Sequence, residues 1–266
     1  MNVMHIVVTL KQVHDPNTPP LLLKIGADKK SLDLPAGTNL VLNGYDANAV
    51  EAAIKIKESL GGTITLVSVG DDQAKTHLRR AIAMGADRAV HVAGPTGISG
   101  DSHVTASLLA GAIRKLPPAD LILCGRQASD TDAGQVPFIL AEELGFSVLS
   151  PVKNIAEIGA GSIVVDRLSD DGTQRIRASF PILLGVSGEI NKPRAASLKG
   201  VMMSKKAEIP TWTVHELGIE DPAPALTLRR LHSEDATNAR AELISAGSPR
   251  EAGRALADRL YKEGLI

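Results

Sequence analysis

The segment from Leu121 to Val136, L-I-L-C-G-R-Q-A-S-D-T-D-A-G-Q-V, restricts the fold of this chain more than any other. Its first four residues are apolar without alternation, the pattern of a strand buried on both faces of a parallel sheet. A loop of Gly, Ser, Thr and Asp follows and leads into an amphipathic run starting near Asp132. Pro137 is tolerated there only within the first helical turn, where backbone N–H groups have no intrahelical partner. A buried strand thus ends in a polar loop, and the next helix points its N-terminus back at a crevice. Anionic ligands bind in such crevices of α/β sheets. The segment predicts a nucleotide site without a catalytic apparatus.

The residues before it alternate strand and helix. His5 to Leu10 reads as a short strand, followed by a Pro-, Lys- and Asp-rich loop with a minor hairpin around Leu21 to Leu34. Asp46 is the expected N-cap of a helix that buries Ala47, Val50, Ala53 and Ile54. Thr63 to Val69 is a second strand, and Asp71 or Asp72 caps a helix closed by Gly85. Ala89 to Val92 gives a third strand, Val104 to Leu116 a helix stopped by Pro117 and Pro118, and Leu121 to Cys124 a fourth strand. Alternation with short loops predicts an α/β fold around a mostly parallel, doubly wound sheet.

From Val148 the rhythm changes. Val148–Ile158, Ser162–Leu168, Arg175–Ser179 and Pro181–Val186 read as strands joined by G-A-G and D-D-G turns, which suggests antiparallel strands added at one edge. Beyond Ile190 the periodicity fades. Lys192, Arg194, Lys199, Lys205 and Lys206 crowd one stretch, and Thr211 to Asn238 is weakly patterned. Ser248 to Leu265 is a final amphipathic helix. This C-terminal stretch has too little apolar content for a core of its own, so residues 1–190 are expected to form the nucleotide-binding α/β domain and 191–266 an extended, partner-wrapping arm.

Composition narrows the function classes. A net charge of −1 leaves no basic footprint for duplex nucleic acid, and one Trp, two Tyr and three Phe offer few stacking platforms for single strands. The single cysteine, Cys124, excludes an intrachain disulfide and Cys-rich metal sites. The seven His residues are scattered without ligand spacing, so no metal site is expected. There is no apolar run of roughly 18 residues and no signal-peptide pattern, so a cytoplasmic protein without direct membrane insertion is expected.

The familiar nucleotide and hydrolase motifs are missing. Thr9-L-K-Q-Val13 stands where a Rossmann fingerprint would follow the first strand, and no Walker A, G-x-S-x-G or H-E-x-x-H occurs. Small or mildly polar strand ends (Thr9, Val69 and Gly70, Cys124 and Gly125) would admit a flat adenine against backbone. In the loop, Asp130 and Asp132 either cap the next helix or flank a nucleotide. Arg126 pairs either with a phosphate or with its Asp neighbours, and Gln127 and Gln135 either read adenine and ribose or are solvated. Cys124 reads as inert packing. Leu198, apolar in an exposed segment beside Lys199, Lys205 and Lys206, reads as part of a docking surface.

Several longer motifs coincide: V-V-T-L-K-Q-V at 7–13, L-N-G-Y-D at 42–46, M-G-A-D-R at 84–88 and C-G-R-Q-A-S-D-T-D-A-G-Q at 124–135. To these is added Val165-D-Arg167-L-S-Asp170-Asp171-Gly172-T-Gln174-R-Ile176, then Pro181 and Leu183-Leu184, with Gly185 departing from the usual Thr, Ala or Cys. Over nearly its full length the chain resembles the β subunit family of electron transfer flavoprotein. The resemblance implies an adenine-nucleotide α-hydrolase-like fold and a heterodimer with an α subunit carrying FAD. It implies electron shuttling from acyl-CoA or other flavin dehydrogenases to a quinone-oxidoreductase-like acceptor, without enzymatic chemistry in this chain. It also implies a structural AMP in this subunit or, as the alternative, the second FAD of electron-bifurcating members. Weaker alternatives are an ATP-using enzyme or a nucleotide-binding module of similar fold, both lacking the needed glycine-rich phosphate loop.

Positions matching the family's nucleotide pocket are Thr9, Asn43, Gly44, Tyr45, Asp46, Val69, Leu121, Cys124, Gly125, Arg126, Gln127, Ala128, Asp130, Thr131, Asp132, Ala133, Gly134, Gln135 and Val136. Gly44 stands where the family often has Pro, and Gly134 where several members have a larger residue. Asn191-K-Pro193-Arg194-A-A-Ser197-Leu198 is similar to the family's recognition loop. That similarity implies docking roles for Ala195, Leu198 and Lys199.

Overall fold

Unbroken apolar runs become the centre of one nine-stranded sheet. The computed structural model describes residues 4–33, 38, 40–94, 100–159, 161–220, 223–232 and 241–266. β1 (His5–Leu10) is followed by β2 (Gln12–His14), a hairpin of β3 (Lys24–Ile25) and β4 (Leu32–Asp33), and β5 (Leu40–Leu42), which pairs with β2. The far end of the expected hairpin, Leu34, lies outside the described residues. Then α1 (Gly44–Leu60), β6 (Thr63–Gly70), α2 (Ala74–Met84), β7 (Arg88–Ala93), α3 (Ser102–Arg114), β8 (Leu121–Gly125) and α4 (Val136–Leu144) alternate as the pattern requires. β9 (Ser147–Ile158), β10 (Ser162–Ser169), β11 (Gly172–Ser179) and β12 (Ile182–Val186) come next, and α5 (Leu198–Lys206), β13 (Thr211–Thr213) and α6 (Pro249–Lys262) complete the chain.

The strand order is β11-β10-β9-β12-β8-β1-β6-β7-β13. Every neighbouring pair from β9 to β13 is parallel, and only β10 against β9 and β11 against β10 are antiparallel. The sheet is therefore mostly parallel with an antiparallel hairpin at one edge. One expected placement is corrected. Ile182–Val186 is not an edge strand but lies parallel between β8 and β9, with all five residues buried. An apolar run without alternation belongs where both faces are covered, and that criterion applies to I-L-L-G-V as much as to L-I-L-C.

Successive residues of the central strands serve opposite layers. Ile6, Val8, Leu66 and Leu123 pack with α1 and α2 residues such as Ile54 and Leu78. Val7, Val67 and Ile122 pack with α3 and α4 residues such as Leu108 and Leu140. Each such side chain, wholly removed from water, contributes roughly 1.5–3 kcal/mol.

Four local expectations shift. Neither Asp71 nor Asp72 caps α2, which begins at Ala74 after Gln73 without a side-chain cap. Asp46 is not an N-cap: α1 starts at Gly44 after Asn43, and the Asp46 carboxylate turns inward. α4 begins at Val136, not near Asp132, because Asp132 has φ +48° and Gly134 φ +63°, which break a right-handed helix. Thr211–Thr213, in a stretch without a periodic pattern, joins β7 as a parallel edge strand, with Lys115 over the Trp212 ring at 4.6 Å. Asp221 and Pro222 of that stretch, and residues 233–238, lie outside the described residues, as does Ala160 in the G-A-G turn.

The chain separates into a unit through Arg230 and a second from Leu231 to Ile266. The first extends past residue 190, since residues 191–220 include α5, packed on α2, and β13 in the sheet. In the second, Ser248 Oγ accepts from Glu251 N–H at 3.3 Å to cap α6, and Arg259 pairs with Glu263 at 2.6 Å and Glu242 at 3.3 Å. No residue of α6 is buried within its own unit.

Candidate functional site

From β1 the chain moves outward to β6 and β7, then crosses to β8 on the other side of β1. That reversal opens a crevice beyond the carboxyl ends of the strands, where ligands bind in sheets of this kind. A cavity of about 350 Å³ lies there, lined from the ends of β1, β6 and β8, the loop after β8, and the first turns of α3 and α4. The size is at the lower end for small-molecule sites.

Its frame is built by two side chains of the L-N-G-Y-D motif. Asp46 Oδ2 accepts from Lys11 N–H at 2.7 Å and Oδ1 from Gly125 N–H at 2.9 Å, tying the ends of β1 and β8 to α1. Asn43 Nδ2 donates to the Gln127 carbonyl at 2.9 Å, and its Oδ1 accepts from Ser129 N–H at 3.3 Å. Gly125 has to be glycine: a Cβ would sit 2.5 Å from Asp46 Oδ1 and 2.7 Å from Tyr45 Cβ. Burial pushes the Asp46 carboxyl up to about 7, with the Lys11 and Gly125 N–H groups and the Asn43 side chain opposing the rise.

Two helix N-termini face the cavity, and they differ. Asp101 caps α3, accepting from His103 and Val104 N–H at 2.8 and 3.0 Å, and its other oxygen accepts from Leu226 N–H at 2.9 Å. Gln135 precedes α4 without any side-chain cap. The first turn of α4 turns the positive end of its dipole to the cavity; Phe138 and Ile139 N–H return to the Gln135 carbonyl at 3.1 Å and Pro137 has no N–H, so Val136 supplies the first-turn N–H there. Lys11, the only basic residue among the described lining residues, is paired with Asp130 at 2.7 Å.

Thirteen of the nineteen expected pocket residues line the cavity: Thr9, Asn43, Asp46, Val69, Cys124, Gly125, Gln127, Ala128, Thr131, Ala133, Gly134, Gln135 and Val136. The others sit elsewhere. Leu121 is at the opposite end of β8, fully buried beside Ile6 and Ile182. Gly44 and Tyr45 belong to the α1 start behind the cavity. Arg126 turns away to lie over the Tyr45 ring at 5.2 Å and makes no ion pair among the described residues. Asp130 holds Lys11, and Asp132 accepts from Gln127 Nε2 at 2.8 Å, so neither caps α4. Leu121 opens the strand whose far end reaches the cavity, and Arg126 lies past that end in the loop, so neither follows its sequence neighbours into the cavity.

Several lining residues lie outside the expected pocket positions: Lys11 and Gln12, both within V-V-T-L-K-Q-V, then Gly70, Asp71, and Gly100 to Ser102. Asp101 has a readable signal, since Asp followed by Ser and an apolar helical run is a start pattern. No His occurs among the described lining residues, and the Cys124 thiol is pushed far up by burial and by the Asp46 carboxylate. No group of three or more metal-ligating residues occurs among the described residues. The arrangement can cradle an anionic, flat ligand.

Outside the cavity, Leu198 is 88% exposed at the start of α5, and Met202 and Met203 are exposed beside it. Ala195 and Lys199 are exposed too. The V-D-R-L-S-D-D-G-T-Q-R motif forms the β10–β11 hairpin. There Asp166 takes two bonds from Arg175, at 2.7 and 3.0 Å, and one from Asn154 at 2.9 Å. Its regular spacing records hairpin register.

The chain also matches known proteins along most of its length. Residues 35–217 match the model of the electron transfer flavoprotein domain. The chain is 34% identical over 267 aligned residues, 99% of its own length and 100% of the relative, to an electron transfer flavoprotein subunit beta of Thermoanaerobacterium thermosaccharolyticum. It is 35% identical to the subunit beta of Megasphaera elsdenii, over 82% of this chain and 81% of that one. It is 32% identical to the caffeyl-CoA reductase-Etf complex subunit CarD of Acetobacterium woodii, over 99% of this chain and 100% of that one. A family model spanning most of the α/β unit, with relatives matched end to end, establishes that this chain belongs to the electron transfer flavoprotein family, among its β subunits.

Proposed function

We propose that this chain pairs with an α subunit as a heterodimeric electron carrier. It takes electrons from acyl-CoA or other flavin dehydrogenases and delivers them to a quinone-oxidoreductase-like acceptor. The supporting observation is a ligand cavity at the strand ends, faced by the N-terminus of α4. In this reading AMP occupies the cavity as a structural ligand, with its phosphate at the first turn of α4 and its adenine against the backbone at Gly70 and Gly125. Lys11 would leave Asp130 to meet the phosphate. FAD, held by or shared with the α subunit, supplies the redox chemistry, and the protein's part is to bind, orient and exclude water.

The exposed surfaces fit the same reading. Leu198, with Met202 and Met203 beside it, is the apolar edge that meets the dehydrogenase. α6 and the residues after it leave Leu256, Tyr261, Leu265 and Ile266 exposed, apolar surface that an α subunit would cover. No helix among the described residues is long and apolar enough to cross a membrane. We propose cytoplasmic action without direct insertion.

One observation favours a second reading. A groove of about 610 Å³, bordered by Phe138, Ile139 and Leu226, adjoins the cavity and shares Asp101, Ser102, Gly134 and Gln135 with it. A second FAD could extend from the AMP position into it, as in an electron-bifurcating member. The experiment is reduction of the purified heterodimer by a substrate-reduced acyl-CoA dehydrogenase, followed by reoxidation with a quinone oxidoreductase. Bleaching and recovery of the flavin band support the carrier reading, and a flavin inert to a panel of flavin dehydrogenases argues against it.

A further inference from the structure

The role argued for Arg194 rests on docking of the dehydrogenase at the exposed apolar edge of α5. An exposed leucine on a mobile segment would lose much of its binding free energy to ordering. Here the segment is fastened at three points. Before the helix, Arg194 Nε and Nη2 bond Glu51 on α1 at 2.8 and 3.2 Å, and Nη1 and Nη2 bond Glu58 at 2.6 and 3.0 Å. The Arg194 N–H adds a further bond to Glu51 at 3.1 Å. Glu51 is only 3% exposed, an acid held inside the protein with this guanidinium as its close partner. Asn191 and Asn48 bond reciprocally just upstream, at 2.8 to 3.1 Å. At the far end, Arg79 Nη1 donates to the carbonyls of Ser204 at 2.6 Å and Ala207 at 2.9 Å. Between them Gly200 lies against the Ala83 carbonyl so closely that no Cβ fits.

Leu198 itself is touched by none of these groups. Its backbone is fixed four residues after Arg194, while its side chain stays in solvent. We infer that Arg194 is a positioning residue for docking: by bridging Glu51 and Glu58 it fixes the start of α5, so that Leu198 meets its partner already oriented. Arg is required in place of Lys, because one planar fork serves two carboxylates and a single ammonium cannot.

The test uses the full heterodimer and an acyl-CoA dehydrogenase already verified to reduce the wild-type protein. Heterodimer concentration is varied for wild type, Leu198→Ala, Arg194→Lys and the double variant Arg194→Ala/Glu51→Gln. The Glu51→Gln change removes the buried acid that Arg194→Ala alone would orphan, so that a folding defect does not stand in for a docking defect. Expected is a rise in KM of about five- to tenfold for the double variant and a smaller rise for Arg194→Lys, with kcat and flavin content unchanged. Hydrogen exchange at 198–204 should quicken while α1 stays protected. If Leu198→Ala raises KM and the Arg194 variants do not, the positioning role is overturned and the docking surface stands. If Leu198→Ala leaves KM unchanged, the docking surface falls and the positioning role with it. A fall in kcat or flavin content matching the rise in KM would make Arg194 merely structural and overturn the inference.

Discussion

Replacing Asp46 by an asparagine tests the frame of the cavity most sharply, because it keeps the shape and removes the charge. The wild-type carboxylate accepts two N–H groups, from Lys11 and Gly125. The amide of Asp46→Asn keeps one acceptor and turns an NH2 toward the other donor, leaving it unsatisfied at about 1–3 kcal/mol. That cost is opposed by a pH-dependent term. Burial raises the Asp46 carboxyl from 3.8 to about 7. Between those pH values the folded state holds a proton that the unfolded state has released, so wild-type stability falls as pH rises and levels off above about 7. At ~1.4 kcal/mol per pH unit, the most it can lose across that window is ~4 kcal/mol. The variant's amide does not titrate and lacks this loss. The stability difference, wild type minus variant, is therefore expected to be largest at the acid end of that window and to shrink by pH ~8. Urea unfolding of both heterodimers at several pH values, followed by circular dichroism, measures it. A difference that is flat or grows with pH would refute the claim that burial dominates the Asp46 environment.

Gly125→Ala forces a methyl into Asp46 and Tyr45 and should cost about 1–3 kcal/mol, with loss of bound nucleotide read by extraction. Leu198→Ala should leave flavin content intact and slow reduction by the dehydrogenase several-fold, since a central apolar anchor carries a large share of an interface; unchanged kinetics would remove Leu198 from docking. Arg175 holds the Asp166 carboxyl down to about 2. The hairpin's contribution should be complete above pH ~4 and fade as pH falls toward 2, a loss absent from Asp166→Asn in acid-unfolding curves.

What the sequence reveals of each residue depends on how local its role is. The buried strands are legible because an apolar run needs cover on both faces whatever its neighbours. Their order is less so: β12 reads as an edge strand because it follows the hairpin in the chain, and chain adjacency says nothing about which gap in the sheet it fills. The loop 125–136 is legible as a ligand loop from its small residues and the proline that follows. Leu121 opens β8, far from the strand end at the cavity, and Arg126 lies beyond that end with its side chain over Tyr45, so nearness in sequence places neither at the cavity. Gly100 and Ser102 reach the cavity through long-range folding with no local pattern to mark them, whereas Lys11 lies in V-V-T-L-K-Q-V and Asp101 carries a helix-start signal. Asp46 looks like a cap because an acid near a helix start usually is one. That it instead joins two strands depends on Gly125, far along the chain. Periodicity fades after Ile190, yet Arg194, α5 and β13 are held by partners on α1, α2 and β7 that such a pattern cannot express.

The measurement that bears most directly on the carrier assignment is the nucleotide content of the purified heterodimer. The protein is denatured, and its released nucleotides are separated and counted against protein. One FAD and one AMP per heterodimer is the predicted result, with AMP reduced in Gly125→Ala. Two FAD and no AMP would move the cavity and its adjoining groove to the bifurcating reading. A single FAD with no second adenine nucleotide would contradict the assignment of the cavity altogether.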